Sequence, residues 1–200
     1  MDYRDNKTLM ADARQALSGH WKTAVGAAAI FMGISYPLQW LPPLGGLAVF
    51  IVSGPLYLGT VRFSLEIARK NPVSASHVLS GFQVFWKSLG AYFLGLLFVL
   101  LWALLLIVPG IMASLSYAMT FYILADNKNM GPREAISVSK SMMLGHRWRL
   151  TCLWARFLGW GVLSVFTVGI GFLWLFPYIG VSMALFYEDL KASAAAGFNE

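Results

Sequence analysis

The chain has 200 residues, of which 58% are hydrophobic and only 12% are charged, and its formal net charge is +6. Soluble domains are typically about 45–50% apolar and about 25% charged, so this composition argues against a soluble globular protein and predicts a single integral membrane domain, residues 1–200. The single cysteine, Cys152, excludes an internal disulfide bond and a multi-cysteine metal cluster.

The first predicted elements are an amphipathic helix and a long apolar block. Apolar residues recur at helical spacing near the start of the chain, at Leu9, Met10, Ala13, Leu17 and Trp21. The block that follows, residues 23–61, carries no charge and is about twice the roughly 17–20 residues of a short transmembrane helix. Turn-forming residues stand near its middle, namely Pro42, Pro43, Gly45 and Gly46. The block therefore predicts a hairpin of two membrane spans.

Two further blocks, residues 88–125 and 150–187, repeat this arrangement. The second has Pro109-Gly110 near its middle, the third has Gly169 and Gly171, and Arg156 is the one charged residue within the three blocks. Amphipathic stretches precede both, with the apolar faces Val78, Leu79, Phe82, Phe85, Trp86 and Ala135, Ile136, Ser139, Met142, Met143. The chain therefore predicts an all-α, polytopic membrane protein with six transmembrane helices in three hairpins.

A tryptophan and a cation stand where each block begins, and these six residues are predicted interface anchors: Trp21, Lys22, Trp86, Lys87, Trp148 and Arg149. An indole suits a membrane boundary because its ring is apolar while its N–H can reach water or headgroups. The recurrence predicts a pseudo-threefold internal repeat with units at about 7–70, 72–127 and 131–191. The amphipathic helices either lie in the headgroup region or cover the cytoplasmic end of the bundle.

The second helix of each hairpin carries a proline followed five residues later by a hydroxyl. The prolines are Pro55, Pro109 and Pro177, and the hydroxyls are Thr60, Ser114 and Ser182, with Thr120 six residues beyond Ser114. If three units pack around one axis, these hydroxyls line a polar interior between the hairpins. The alternative is that each hydroxyl bonds a carbonyl of its own helix, as Ser and Thr commonly do in membrane helices.

Charged residues flank the blocks and are missing from the turns, which places them on one side of the membrane. Because basic residues collect on the cytoplasmic side, both termini and both long connections are predicted to be cytoplasmic. Arg62 and Glu66 have the i, i+4 spacing of a helix-surface pair, or else reach to the interface separately. Arg156 is predicted to snorkel to lipid phosphate; the alternatives are a pair with Glu188 or Asp189, and a lipid or substrate site.

Three stretches of the chain resemble a known bacterial family: LWALLLIVPGIMASLSYAMTFYILADN, EAISVSKSMMLGHRWRL and GIGFLWLFPYIGVSMALFYEDL. The family consists of integral membrane proteins and is catalogued as a domain of unknown function, number 975. The resemblance runs from about Leu9 to Lys191, and Arg156 lies outside the stretches that carry it. It implies a multi-pass protein of the bacterial cytoplasmic (inner) membrane and supplies no activity.

No residue pattern predicts catalysis. Ser137 and Lys140 have the Ser-x-x-Lys spacing of serine–lysine hydrolases, but Lys140 lies in a solvated amphipathic segment, whereas that chemistry needs a desolvated lysine. The three histidines lie in different units without a metal-binding motif. We therefore predict no enzyme, no cofactor and no metal. Nucleic acid is not a predicted partner, because the basic residues flank apolar spans.

Two classes of function remain. The first is a small transporter-like or lipid-handling protein that works through a polar interior between the hairpins. The second is a non-catalytic membrane module that binds a protein partner or senses the state of the envelope. In both cases the lipid bilayer and its anionic headgroups are predicted partners, whereas the chain contains no signal for a particular protein partner. A continuous cavity containing Thr60, Ser114 or Ser182 favours the first class, and a tightly packed interior favours the second.

Overall fold

The computed structural model describes residues 4–40, 43–127, 129–167 and 169–196. Over these residues the chain is helical throughout, with no strand. Nine α-helices and one 3-10 helix follow one another in this part of the chain: α1 Asn6–Leu17, α2 Trp21–Gln39, α3 Gly45–Ala68, the 3-10 helix Ala75–Val84, α4 Phe85–Leu105, α5 Ile107–Tyr117, α6 Thr120–Asp126, α7 Pro132–Met142, α8 Arg147–Phe166 and α9 Phe172–Ala196. The predicted all-α class is confirmed.

Three helical segments are long and apolar enough to cross a membrane, by length and composition: Gly45–Ala68, Ala75–Leu104 and Val108–Asp126. They indicate a membrane protein. The helices α2, α8 and α9 do not meet that criterion. In α8 three arginines lower the apolar character, and the last third of α9 carries the charged residues Glu188, Asp189 and Lys191. The six spans and the three-hairpin repeat therefore stay predictions, and Pro42 in the first predicted turn lies outside the described residues.

The turn predicted at Pro109-Gly110 takes the form of a break between two helices. Leu106 is extended, with φ −161° and ψ 142°, and α5 starts at the next residue. Pro109 stands within the first turn of α5, where a missing backbone N–H removes no intrahelical hydrogen bond. Pro55 and Pro177 lie inside α3 and α9, which continue through them.

A second break, between α5 and α6, has its cause in α7. The hydroxyl of Ser139 donates to the carbonyl of Ser116 at 2.8 Å and accepts a hydrogen bond from the backbone N–H of Met119 at 3.2 Å. Ser139 is fully buried. A side chain that inserts into the backbone ladder interrupts an α-helix. Sequence reasoning placed Ser139 on the apolar face of α7 but gave no indication that it divides the neighbouring helix.

Each amphipathic segment packs along the C-terminal helix of one of the three predicted hairpins: α1 along α9, the 3-10 helix along α3, and α7 along α6. The predicted apolar face of α1 is buried at Leu9, Ala13 and Leu17. The face predicted before the second block is only partly buried, since Val78 is buried but Leu79 and Phe82 are exposed. The predicted single face is split because the segment is a 3-10 helix, in which residues three apart share a face: Val78 and Gly81 pack inwards, whereas the exposed Leu79 and Phe82 stay available to the headgroup region.

The 3-10 helix and α3 touch backbone to backbone. A Cβ atom placed on Gly59 would lie 1.7 Å from the carbonyl oxygen of Val78, and one placed on Gly81 would lie 1.9 Å from that of Pro55. Only glycine permits such an approach at these two positions.

The core lies towards the end of the bundle that carries the charged residues, which we call the charged end. Five large apolar side chains are fully buried there: Leu9, Leu17, Leu150, Leu153 and Phe186. The turn ends of the helices instead expose large apolar side chains, including Trp40 (84% exposed), Leu104 (82%) and Phe166 (80%). Apolar patches of this kind mark surfaces that face lipid or a partner. The charged end therefore holds the fold together, while the turn ends present an apolar surface.

Candidate functional site

The predicted interface anchors have different environments. Trp86 and Trp148 are largely exposed and Lys22 is exposed, whereas Trp21 and Lys87 are half-buried. Arg149 is also half-buried and belongs to a network of contacts at the charged end, described below. The indoles at two of the three boundaries are thus available to a membrane interface.

The hydroxyls predicted to line a polar interior each donate to a carbonyl of their own helix. Thr60 donates to Tyr57 at 2.7 Å, Ser114 to Ile111 at 2.8 Å and Ser182 to Tyr178 at 2.8 Å. Ser182 is fully buried and Ser114 is exposed. The Thr120 hydroxyl is buried without a hydrogen-bond partner. Thr60, Ser114 and Ser182 thus have the own-helix arrangement, Thr120 does not, and a shared polar interior stays a prediction.

A cluster of charges joins the ends of α3, α6 and α9. The Arg69 guanidinium lies 2.7 Å from a carboxylate oxygen of Asp126 and 2.6 Å from one of Glu188. Lys191 donates to the second oxygen of Asp126 at 2.5 Å, and the Tyr187 hydroxyl lies 3.2 Å from the same atom. Burial disfavours the charge on Arg69, but the hydrogen bonds to Asp126 and Glu188 outweigh it and raise the pKa of Arg69.

Arg62 and Glu66 do not pair with each other. Arg62 donates to the carbonyl of Ser80 in the 3-10 helix at 2.8 Å, and Glu66 accepts a hydrogen bond from the Asn71 side chain at 2.7 Å. The predicted i, i+4 pair is therefore absent, and each of the two side chains has another partner.

A second cluster joins the start of the chain to α8 and α9 through Arg149. This side chain donates to Asp189 at 2.6 Å and to the carbonyl of Arg4 at 2.5 Å. Its guanidinium also lies 4.9 Å from the centroid of the Phe186 ring. Asn6 donates to the carbonyl of Arg149 at 2.9 Å. Asp189 is thereby engaged by Arg149, and Glu188 by Arg69, so the two acids considered as partners of Arg156 have other partners.

Arg156 instead lines a cavity of about 560 Å³ together with one face of α1. That face carries Lys7, Met10, Ala11, Arg14, Gln15 and Ser18, and Tyr178 completes the wall. We call this the basic cavity, after Lys7, Arg14 and Arg156. No acidic side chain lines it. Within the described part of the chain, none of the three cations forms an ion pair.

An apolar cavity of about 390 Å³ adjoins the basic cavity and shares Arg14 and Tyr178 with it. We call it the aromatic cavity; its remaining lining residues are Trp21, Trp160, Leu163, Ser164, Thr167, Gly171, Trp174 and Leu175. Tyr178 is held in place at the junction, because its hydroxyl donates to the carbonyl of Met10 at 3.1 Å and its ring packs edge-on against Phe157. The Arg14 guanidinium lies 5.9 Å from the centroid of the Tyr178 ring. The two cavities form one groove between α1, α8 and α9.

Sequence reasoning singled out Arg156 but missed the residues beside it. Lys7 and Arg14 are seven residues apart and therefore share a helical face, next to the buried face of Leu9, Ala13 and Leu17. That spacing was the available signal. Nothing in the local pattern indicates that this face meets α8.

The described residues contain no group of three or more His, Cys, Asp or Glu side chains that could hold a metal ion. The arrangement of the groove fits a different chemistry, in which fixed cations stand beside an apolar cavity. Such a site suits a molecule with an anionic head and an apolar tail.

The helical fold with its three long apolar segments indicates a membrane protein of the α-helical class. Within that class, the model of the family described as "Protein of unknown function (DUF975)" matches residues 104–194, which confirms the resemblance over α5 to α9. Arg156 lies inside the matched range, whereas Lys7 and Arg14 lie outside it. No curated protein and no solved structure matches the chain.

Proposed function

We propose that the protein is a lipid-handling membrane protein that binds anionic phospholipid in the groove between α1, α8 and α9. The observation that carries this proposal is the set of three cations, Lys7, Arg14 and Arg156, around one cavity without an acidic side chain in its wall. Phosphate oxygens are the natural partners of such a set, because guanidinium and ammonium groups form short, charge-assisted hydrogen bonds with them.

The surroundings of the groove support a lipid rather than a soluble anion. The face of α8 that is turned away from the groove exposes an apolar stripe at i, i+4 spacing, formed by Leu158, Val162 and Phe166. Exposed apolar residues on that face suit a helix that borders lipid, so the groove would be accessible from the bilayer. A soluble anion would gain nothing from the adjoining aromatic cavity, whereas an acyl chain buries its methylenes there.

The proposal includes a bacterial inner-membrane location, six spans and cytoplasmic termini. On this topology Lys7 and Arg14 belong to the cytoplasmic side, where anionic lipids attract basic residues by about 1 kcal/mol each. The three apolar segments and the flanking basic residues support it. Catalysis and nucleic-acid binding are not part of the proposal.

The groove replaces the polar interior as the proposed route of lipid handling. Neither cavity is lined by Thr60, Ser114 or Ser182, and the close contact of Gly180 with Ser64 brings α9 against α3 in the middle of the bundle. This packing favours the alternative function, a non-catalytic membrane module that binds a partner or senses the envelope, over a central transport path. Binding of lipid in the groove is compatible with either a transfer or a sensing role.

The test compares lipids retained by matched double variants. The protein is extracted from bilayers with equal amounts of phosphatidylglycerol and phosphatidylcholine, and bound lipids are identified by native mass spectrometry. Wild type should retain phosphatidylglycerol. The variant Arg14→Gln/Arg156→Gln should lose about 2 kcal/mol of attraction, or roughly 30-fold in affinity.

The control is Arg133→Gln/Lys140→Gln, which removes the same charge from α7, outside both cavities. This variant should retain phosphatidylglycerol as wild type does. Equal retention by all three proteins would refute lipid binding in the groove. Equal losses in both variants would show that net charge matters and the groove does not.

A further inference from the structure

The three cations of the basic cavity lie at two levels. Asn6, the neighbour of Lys7 on α1, donates to the backbone carbonyl of Arg149 in the first turn of α8 at 2.9 Å. Arg14 and Arg156 line the cavity two turns further along their helices. Two turns correspond to about 10 Å along a helix. Arg14 and Arg156 therefore share an inner level, and Lys7 lies at an outer level about 10 Å nearer the charged end.

The slant of helical side chains keeps the two levels apart. Both α1 and α8 begin at the charged end, where guanidinium nitrogens of Arg4 and Arg149 lie 3.7 Å and 2.6 Å from the carboxylate of Asp189. Because side chains of an α-helix slant towards its N-terminus, the cations of both levels reach towards the charged end. The spacing is thus retained, and one phosphate cannot accept direct hydrogen bonds, which are about 2.7–2.9 Å long, from both Lys7 and Arg14.

The charge of the basic cavity exceeds that of a single phosphodiester. Lys7, Arg14 and Arg156 carry three positive charges, and no acidic side chain lines the wall. A phosphodiester carries one negative charge. A phosphate monoester adds about −1.5 to −2 at pH 7, so a headgroup with one phosphate of each kind balances the three cations.

The lining of the cavity indicates which way such a lipid lies. Between the two levels the wall on α1 bears Met10 and Ala11, which carry no charge and suit a neutral linker. The inner level adjoins the aromatic cavity, since Arg14 and Tyr178 line both cavities. The apolar part of the lipid therefore lies beside the inner level, and its headgroup extends towards the charged end.

We infer that the groove recognises a phospholipid whose headgroup ends in a second phosphate. Arg14 and Arg156 bind the phosphodiester, and Lys7 binds the terminal phosphate monoester across a linker of about the size of glycerol. This inference rests on the proposed function, since it names the class of headgroup that the same groove takes. In the proposed topology the charged end is cytoplasmic, so the headgroup extends from the inner level towards the cytoplasm.

The experiment compares two lipids that differ only in the terminal phosphate. Nanodiscs of phosphatidylcholine receive equal traces of phosphatidylglycerol and phosphatidylglycerol phosphate with identical acyl chains, and the lipids that remain bound to the protein are identified by native mass spectrometry. Wild type should enrich phosphatidylglycerol phosphate over phosphatidylglycerol by about fivefold, the factor that corresponds to about 1 kcal/mol for one additional cation.

Two matched variants each remove one positive charge from an exposed position. Lys7→Gln removes the cation of the outer level and should bring the two lipids close to equal retention, while the retention of phosphatidylglycerol over phosphatidylcholine stays at the wild-type level. Lys22→Gln, the control, lies outside both cavities and should leave both preferences unchanged.

Two other lipids test the spacing of the levels. A prenyl diphosphate joins its phosphates through one oxygen atom, so both phosphates lie at the inner level. Cardiolipin carries acyl chains beyond its second phosphate, and these chains would lie at the outer level, away from the aromatic cavity. Lys7→Gln should therefore leave the retention of both lipids unchanged.

The outcomes separate the inference from the proposed function. Retention of phosphatidylglycerol over phosphatidylcholine without a preference for the terminal phosphate would overturn the headgroup inference and leave anionic-lipid binding intact. A preference that Lys7→Gln leaves unchanged, or that Lys22→Gln lowers equally, would also overturn it. Loss of the prenyl diphosphate or of cardiolipin in Lys7→Gln would show that the two levels are not separate, with the same consequence. Failure to retain any anionic lipid would overturn both.

Discussion

Replacing Gly59 with alanine should destabilise the protein by about 2 kcal/mol, although alanine is the better helix former. The added Cβ would lie 1.7 Å from the Val78 carbonyl oxygen, 2.5 Å from its carbonyl carbon and 3.0 Å from its Cα. These atoms belong to the backbone of the 3-10 helix, so no side-chain rotation relieves the contact and the helices must separate. Overpacking a close contact typically costs about 1–3 kcal/mol, and a rigid backbone partner places this case at the upper end. The helix-propensity gain of about 1 kcal/mol offsets part of that cost.

The measurement is thermal unfolding in detergent, with Gly33→Ala as the control. Gly33 also lies inside a helix, α2, but a Cβ atom there meets nothing within 4 Å, so this change should be neutral or slightly stabilising. A loss of about 2 kcal/mol corresponds to a melting temperature lowered by roughly 4–8 °C for a chain of this size. If the Gly59→Ala and Gly33→Ala variants have the same melting temperature, the backbone contact between α3 and the 3-10 helix is not part of the folded protein.

Three further predictions concern the charged end and the topology. Arg69→Gln leaves Asp126 and Glu188 without their shared cation. In chemical denaturation it should lower the unfolding free energy by about 2 kcal/mol, a value between those of exposed and buried ion pairs. The control, Lys22→Gln at an exposed position, should leave the unfolding free energy unchanged. Burial and the charge of Arg149 hold the pKa of His146 below its usual value, so the unfolded chain binds protons more readily than the folded chain. Stability should therefore fall as the pH drops below about 6.5. In melting curves at pH 5 and pH 7, His146→Gln should remove part of that loss. In a Cys152→Ser background, cysteines at Gly46, Leu106 and Ile170 should react with an impermeant thiol reagent applied to intact cells, and one at Asn129 should not; labelling at Asn129 would reverse or break the proposed topology.

Local periodicity predicted the parts of the fold that a single helix determines. The buried residues Leu9, Ala13 and Leu17 of α1, and Ala135 and Ile136 of α7, were correctly placed because an apolar stripe shows directly which side of a helix packs. The same reasoning failed at Leu79 and Phe82, since the pattern there was interpreted with the period of an α-helix. An α-helix and a 3-10 helix differ by less than one residue per turn, so the pattern of a ten-residue segment does not distinguish the two.

Tertiary contacts decided the features that periodicity missed. The break between α5 and α6 depends on Ser139, a residue twenty positions beyond Met119, and the partner of Arg62 lies in the next segment of the chain. Likewise, Gly59 and Gly81 resemble ordinary helix glycines until their backbones are seen in contact. Sequence shows which residues can make such contacts, but it contains no distance between the elements that carry them.

The position of Arg156 follows from the antiparallel packing of α8 and α9. Arg149 and Arg156 are two turns apart, which separates them by about 10 Å along α8. Asp189 bonds Arg149, and Tyr178 lines the cavity beside Arg156, so the acids near the end of α9 are level with the first arginine and the aromatic residues are level with the second. Because α1 runs alongside, with Arg4 near Asp189 and Met10 bonded to Tyr178, its later residue Arg14 is brought to the same level as Arg156. At this level α9 supplies Tyr178 instead of a carboxylate, and α1 supplies a second cation. The proposed anionic lipid would provide the negative charge that these helices do not.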